Sequence, residues 1–287
     1  MFLMLKECEW LMRMRSKIKE ISMIAADLDG TLLERDKTVL PALKEALKRI
    51  ADEGIKIATA SGRQAMGIYE DDQVSILERN GLGVKSGFPH FLIADEQEIY
   101  FLTDSGYKPY TSHNRKVREA WLSVWPEARR LARREFERLS MQGVKVRLEF
   151  ECEEEEKERG KIILLFENIE DARAEEAQLK KILSGNKFLT CNRHRNAVQI
   201  LHVCAGKGNT LKKLSEYLGI PPSKILCIGD SVHDVSMLDG KFGFLAATTS
   251  NAEEEVKEAV RSCGGYVASK PQGEGVLEIL SEYGLID

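Results

Sequence analysis

The 287-residue chain contains no run of 18 apolar residues, no Cys-x-x-Cys pair and little net charge. The first absence excludes a membrane-spanning helix, which needs about 20 consecutive apolar residues to cross the hydrocarbon layer. The second removes the ligand spacing of a structural zinc site. Cys8, Cys152, Cys191, Cys204, Cys227 and Cys263 are scattered singly, as expected of reduced thiols in a cytoplasmic protein. The third, 42 basic against 46 acidic residues for a net charge of −4, leaves no general polyanion-binding surface and argues against nucleic acid as a partner. No internal repeat stands out. What is present is a chain that is 43% hydrophobic, long enough to bury one large core or two modest ones.

Residues 1–20, MFLMLKECEWLMRMRSKIKE, begin apolar, but Lys6, Glu7 and Glu9 interrupt the run and no small-residue cleavage site follows. They read as an N-terminal extension, an amphipathic helix or a partly disordered segment, with no stable membrane association. Beyond them the pattern alternates. An apolar strand, Met23 to Ala26, precedes a helix opened by Pro41, carrying Leu43, Ala46, Leu47 and Ile50 on one face and stopped by Gly54. A second strand, IKIATA, runs into Ser61-Gly62-Arg63. Downstream, Leu211, Leu214 and Leu218 mark another helix, and the strand KILCIG ends at Asp230. Strand and helix in repeated order predict a parallel sheet covered on both faces, and such sheets bind ligands beyond the carboxyl ends of their strands. Asp27, Ser61 and Asp230 all fall there.

The stretch from 107 to 203 differs in texture. A long Arg-rich helical pattern is followed by amphipathic strands suited to a sheet with one wet face, and by the run Glu153 to Glu156, expected as a solvated loop. It reads as an α+β domain inserted into a core formed by residues 21–106 and 204–287.

The chemistry concentrates at Asp27 and Asp29. Two carboxylates one residue apart repel, so a fold that keeps both implies a cation between them. An aspartate after a strand is often only a helix cap, and Asp234 taken alone fits that role; the pair does not, because capping needs one.

In chain order, DLDGTLL, SGR, GKGNTL and GDSVHDVSML resemble the motifs of the haloacid dehalogenase superfamily, in its Cof-like class IIB branch with an inserted α/β cap. The resemblance covers roughly residues 21–104 and 204–287, and matches the cap only in position and size. It implies a Rossmann-like three-layer core with a parallel sheet plus an α+β cap. It also implies a Mg²⁺-dependent phosphatase that hydrolyses a small phosphorylated metabolite, with sugar phosphates the first expectation. Asp27 would attack phosphorus and become an aspartyl phosphate. Asp29 would protonate the leaving oxygen and then activate water, with Lys207 as the third catalytic residue at a helix N-terminus. Asp27, the backbone carbonyl of Asp29 and Asp230 would hold the metal, supported by Asp234. Gly30, Thr31, Ser61, Gly62 and His233 would hold the phosphate.

Neighbouring carboxylates are expected to raise the Asp29 pKa toward that of a working acid. His233 stands where the branch has Asn, and is expected to lend a pH dependence between about 5 and 8 if it faces the phosphate. Asp95-Glu96 replaces an Asn-Gly turn. Asn251 is expected to help close the site, and His113, His194 and His202 read as surface or packing residues. Hinges are expected at Ser105-Gly106 and Ala205-Gly206. Two further readings accompany this one: a phosphomutase-like transferase acting on hexose phosphates, and a core whose chemistry has lapsed into a binding module.

Overall fold

The computed structural model describes residues 21–67, 71–150 and 152–287; the expected N-terminal helix lies outside them. Strand β1 (Met23–Ala26) is buried along its whole length because parallel neighbours flank it on both sides and helices cover both faces. The chain continues through α1 (Pro41–Asp52), β2 (Lys56–Ala60), α2 (Gln73–Arg79) and β3 (Phe91–Ala94), then turns back through β4 (Glu98–Thr103) and β5 (Gly106–Pro109). The inserted domain runs through α3 (Thr111–Met141), β6 (Val146–Leu148), α4 (Glu153–Arg159), β7 (Lys161–Phe166), α5 (Ile169–Ile182), β8 (Leu189–His194) and β9 (Ala197–His202). The core resumes with α6 (Lys207–Leu218), β10 (Ile225–Ile228), α7 (Val235–Leu238), β11 (Leu245–Thr248), α8 (Glu254–Ser262), β12 (Tyr266–Val267) and α9 (Gln272–Glu282).

The larger sheet has the order β12-β11-β10-β1-β2-β3-β4-β5, parallel from β12 to β3 and antiparallel in the β3-β4-β5 meander. Leu43, Leu47 and Ile50 of α1 pack with Ile279 and Leu280 of α9 on one face. Leu211 and Leu214 of α6 pack with Val256 and Val260 of α8 on the other. This three-layer arrangement is the one the alternating pattern predicts. Because β1, β2 and β10 run parallel and in register, the residues just beyond them converge. Asp27 still donates its N–H to Ile228 O at 2.9 Å, and Ser61 donates to Ile93 O at 2.9 Å.

The smaller sheet, β6-β7-β9-β8, is antiparallel. One face packs Ile162, Leu164, Val198 and Ile200 against Trp121, Leu131 and Leu179 of α3 and α5. The alternate residues, Lys161, Ile163, His194, Ala197 and Gln199, line a cavity against the core. The period of two in a strand produces this division.

Two expectations are corrected. The boundary after residue 106 falls inside β5, and Ser105-Gly106 is the turn of the β4-β5 hairpin, where Thr103 pairs with Gly106. The chain leaves the larger sheet after Pro109 and enters α3 at Thr111, so Ser105-Gly106 does not lie between the two sheets. The glutamate run is helix α4 rather than a loop, and only some of it is solvated. Glu156 is 2% exposed, accepts from Trp125 Nε1 at 3.0 Å and pairs with Arg129. A buried carboxylate needs such partners. Asp95 and Glu96 adopt left-handed backbone, with φ of 49° and 66°, a region disfavoured for side chains larger than Gly. Partners hold them there. Asp95 takes Arg159 at 2.7 Å, while Glu96 accepts from Asn192 and Gln199, each at 2.9 Å.

Among the described residues no helix is long and apolar enough to cross a membrane, and Cys152, Cys191, Cys204, Cys227 and Cys263 are free thiols.

Candidate active site

A cavity of about 400 Å³ lies between the carboxyl ends of the core strands and the open face of the smaller sheet. Asp27, Asp29, Gly30, Ser61, Gly62 and His233 line it. Lys207, Asp230 and Asp234 form a buried layer beneath. The Lys207 ammonium bridges Asp27 Oδ1 and Asp234 Oδ1, each at 2.6 Å. Burial works against that charge, but Asp234 and Asp27 outweigh it and keep the lysine protonated. Asp234 also accepts the N–H groups of Asp230 at 3.1 Å and Ser231 at 3.0 Å, which folds the 230–234 turn around its own carboxylate.

Thr31 corrects an expectation. It is fully buried and donates its hydroxyl to Asp230 Oδ1 at 2.9 Å, so it orients a carboxylate instead of lining the cavity. Gly30 (φ +83°) lies against the same carboxylate: a Cβ there would stand 2.4 Å from Asp230 Oδ2. Only glycine allows that approach. Asn251 ties the corner together, donating to Gly30 O at 2.9 Å and reaching Asp230 Oδ2 at 3.3 Å.

The residues present suit a hard divalent cation. Asp27 Oδ2 is buried and accepts no hydrogen bond, an arrangement that is costly unless a cation or donor meets it. Burial and the Asp234 charge push the Asp230 carboxyl up to about 7, and burial, with Asp234 and Asp230 adding to it, raises Asp27 well above the carboxylate range although Lys207 opposes this. The corner therefore holds more negative charge than its one lysine neutralises. Asp27, His233 and Asp234 also bring ligand atoms within 4.8 Å of one another. The Lys207 ammonium lies between the two carboxylates of that trio, 2.6 Å from each.

Asp29 departs from expectation most clearly. Arg63 donates to it from Nε at 2.6 Å and Nη2 at 3.0 Å, and Lys37 pairs with the same Oδ1 that Nη2 meets. Burial favours the neutral acid, yet these two cations outweigh it and hold the Asp29 pKa well below the carboxylate range, the reverse of the expected rise. Carboxylate neighbours do not decide here because Asp29 turns toward Arg63.

His233 is also corrected. It is buried, packs against His194 with ring centroids 4.4 Å apart and planes tilted by 56°, and its Nδ1 has no hydrogen-bond partner. Burial, and then the positive charge of Lys207, lower its pKa well below the usual histidine value. His194 falls to about 3 for the same reasons. Two neutral imidazoles therefore pack the cavity wall, and His194 lines the site rather than merely filling space.

Residues unmarked by any motif complete the cavity. Lys161, on the inserted domain, donates to Gly62 O at 3.2 Å and lies 3.3 Å from Asp95, which also holds Arg159. Arg195 joins them from the β8-β9 turn. Arg63 was legible as the last letter of Ser-Gly-Arg; the domain-borne cations carried no sequence signal, because strand pairing alone brings them to the core.

A model of the sucrose-6F-phosphate phosphohydrolase family matches residues 20–284. The chain belongs to that family. It is a phosphatase of the haloacid dehalogenase superfamily, and within that family its motifs fall at the geometry just described. A phosphoglycolate phosphatase of Methanospirillum hungatei is 25% identical over 262 residues, 91% of this chain and 95% of the relative. The sucrose-phosphatase of Synechocystis sp. PCC6803, solved with sucrose and phosphate, superposes with a TM-score of 0.63 at 16% identity, over 92% of this chain and 98% of that one. A haloacid dehalogenase phosphatase from Bacteroides thetaiotaomicron, BT1666, gives 0.62 at 21%, over 93% and 96%. These two structures share the fold, including the inserted cap.

Proposed function

We propose that this phosphatase hydrolyses a small phosphorylated metabolite of the sugar-phosphate class, through an aspartyl phosphate on Asp27 and with Mg²⁺ bound at Asp27, the Asp29 carbonyl and Asp230. The observation that carries this reading is Asp27 itself. It is a buried carboxylate at the floor of the cavity, with one oxygen on Lys207 and the other without a partner. Bound Mg²⁺ would neutralise charge on the attacking and transferring oxygens. Lys207 orients Asp27 and opposes the protonation that burial favours, Asp234 fixes Lys207, and Ser61 with the backbone at Gly30 and Gly62 presents donors toward the phosphoryl oxygens.

Asp29 rests ionised between Arg63 and Lys37, the form required to accept a proton from water in the second half of the reaction. A dianionic substrate entering beside these cations competes for them. As they turn toward phosphate, Asp29 loses the contacts that depress its pKa and can hold the proton that the leaving oxygen needs. The cap cations Arg159, Lys161 and Arg195, with Gln199, face the leaving group and select it. The relatives named for sucrose phosphate and phosphoglycolate support a small, polar leaving group.

The test is phosphate release from a panel of phosphorylated sugars and small phospho-acids, with Asp27→Asn as the control. Asp27→Asn should abolish Mg²⁺-dependent release from every substrate, including an aryl phosphate. Release that survives in this variant rejects Asp27 as the nucleophile.

A further inference from the structure

Strand β8 is the edge of the cap sheet, and its last residues are where the cap meets the 230–234 turn. His194 packs against His233 there, with the rings tilted. Arg193, one residue earlier and so on the opposite face of the strand, is 1% exposed and reaches past the sheet edge into the core. Its Nη2 donates to Glu253 Oε2 at 2.9 Å, its Nε to Glu176 Oε2 of the cap at 3.2 Å, and its Nη1 to the Arg195 carbonyl at 2.9 Å. One guanidinium thus joins α5, the β8-β9 turn and the core.

The core end of this contact is not a passive surface acceptor. The other oxygen of Glu253 accepts from Ser231 Oγ at 3.1 Å and Val232 N at 3.2 Å, and the Glu253 N–H donates to the Asp230 carbonyl at 3.0 Å. Glu253 therefore grips the 230–234 turn from outside, while Asp234 holds the same turn from inside through the N–H groups of Asp230 and Ser231. Asp230 is the carboxylate that lies against Gly30. Three consecutive links connect a cap residue to a proposed metal ligand: Arg193 to Glu253, Glu253 to the Ser231 hydroxyl and the Val232 N–H, and that turn to Asp230.

We propose that Arg193 is a positioning residue through which the seated cap sets the affinity of the core for its divalent cation. The inference rests on the metal assignment above and goes beyond it. With Arg193 in place, Glu253 is fixed by an ionic hydrogen bond in a half-buried seam, and the Asp230 carboxylate is confined to one orientation. Without it, Glu253 turns toward solvent or toward Arg173, which lies 4.0 Å away, and the turn gains freedom that cation binding must then remove. Linkage makes the effect reciprocal: a bound cation favours the seated cap by the same factor.

The test uses Mn²⁺ as the probe, with free Mn²⁺ followed by electron paramagnetic resonance on the full chain in the absence of substrate. Arg193→Ala and Glu253→Ala should each raise the Mn²⁺ dissociation constant about five-fold or more. The double variant should do no worse than the weaker single one, because both break the same chain of contacts. Arg173→Ala should leave binding within two-fold. Since Arg193→Ala leaves Glu176 buried without its partner and could impair folding, Glu253→Ala, at a site on the core surface, carries the test independently. An unchanged Mn²⁺ constant in Glu253→Ala overturns the proposal, as does full additivity in the double variant. Mn²⁺ binding is read without turnover, so the result stands apart from whether sugar phosphates prove to be substrates.

Discussion

The Arg63 guanidinium forks onto the Asp29 carboxylate, Nε to Oδ2 at 2.6 Å and Nη2 to Oδ1 at 3.0 Å, so the residue two positions after the proposed nucleophile rests as an anion. The pair has a stability signature. Asp29 has a folded pKa held below its unfolded value near 3.9, so its contribution is complete above about pH 4 and is lost as pH falls through the depressed folded value. Arg63→Ala should cost about 1.5–3 kcal/mol at pH 7, measured by urea unfolding, and the gap from the parent protein should narrow at pH 3. A gap that stays constant with pH would show that the pair is not the source.

His233 faces His194, Asp234 and Lys207, with Lys161 and Arg195 acting on it from the cap. Its folded pKa lies below the unfolded value near 6.5, so unfolding takes up a proton and stability falls as pH drops below that value. His233→Asn should flatten the loss of stability between pH 7 and 5. It should leave the pH profile of kcat/KM unchanged over the same range, because the imidazole stays neutral throughout. A kinetic limb present in the parent and missing in the variant would place a titrating histidine at the phosphate.

Gly30→Ala sets a Cβ against Asp230 Oδ2 at a positive φ. The carboxylate must move, and a displacement on the order of 1 Å at a reacting centre is worth about 10²-fold in rate. Steady-state assays should show kcat/KM lowered by about that factor, with part of the loss recovered at high Mg²⁺. Wild-type rates would contradict the close approach.

Restoring Asn-Gly at residues 95 and 96 separates strain from contact. Glu96→Gly removes one left-handed non-glycine residue, worth about 1–2 kcal/mol, and Asp95→Asn keeps a residue that tolerates that region, but together they remove the ion pairs with Arg159 and Lys161 and the bonds from Asn192 and Gln199. The cap should seat less often, raising KM several-fold and enlarging the radius of gyration seen by small-angle X-ray scattering. Unaltered scattering together with unaltered KM would mean that the turn does not hold the cap.

The sequence by itself determined the core. Strands such as Met23–Ala26 and Ile225–Ile228 are apolar throughout because both faces are covered, and that pattern is local and readable. So are the motif residues, since a strand end places Asp27, Ser61 and Asp230 wherever the parallel sheet forms. Tertiary structure alone decided the charges and the neighbours. The Asp29 pKa depends on which way one carboxylate turns among Arg63, Lys37 and the other acids, and only packing chooses. His233 is neutral because burial removes water from it, a property that no residue letter records. Arg159, Lys161, Arg193 and Arg195 reach the core from a helix end, two strands and a turn of the inserted domain, across separations of tens of residues or more, with no periodicity to mark them. Electrostatic energies vary with distance and local dielectric, and both are fixed only when the chain has folded on itself.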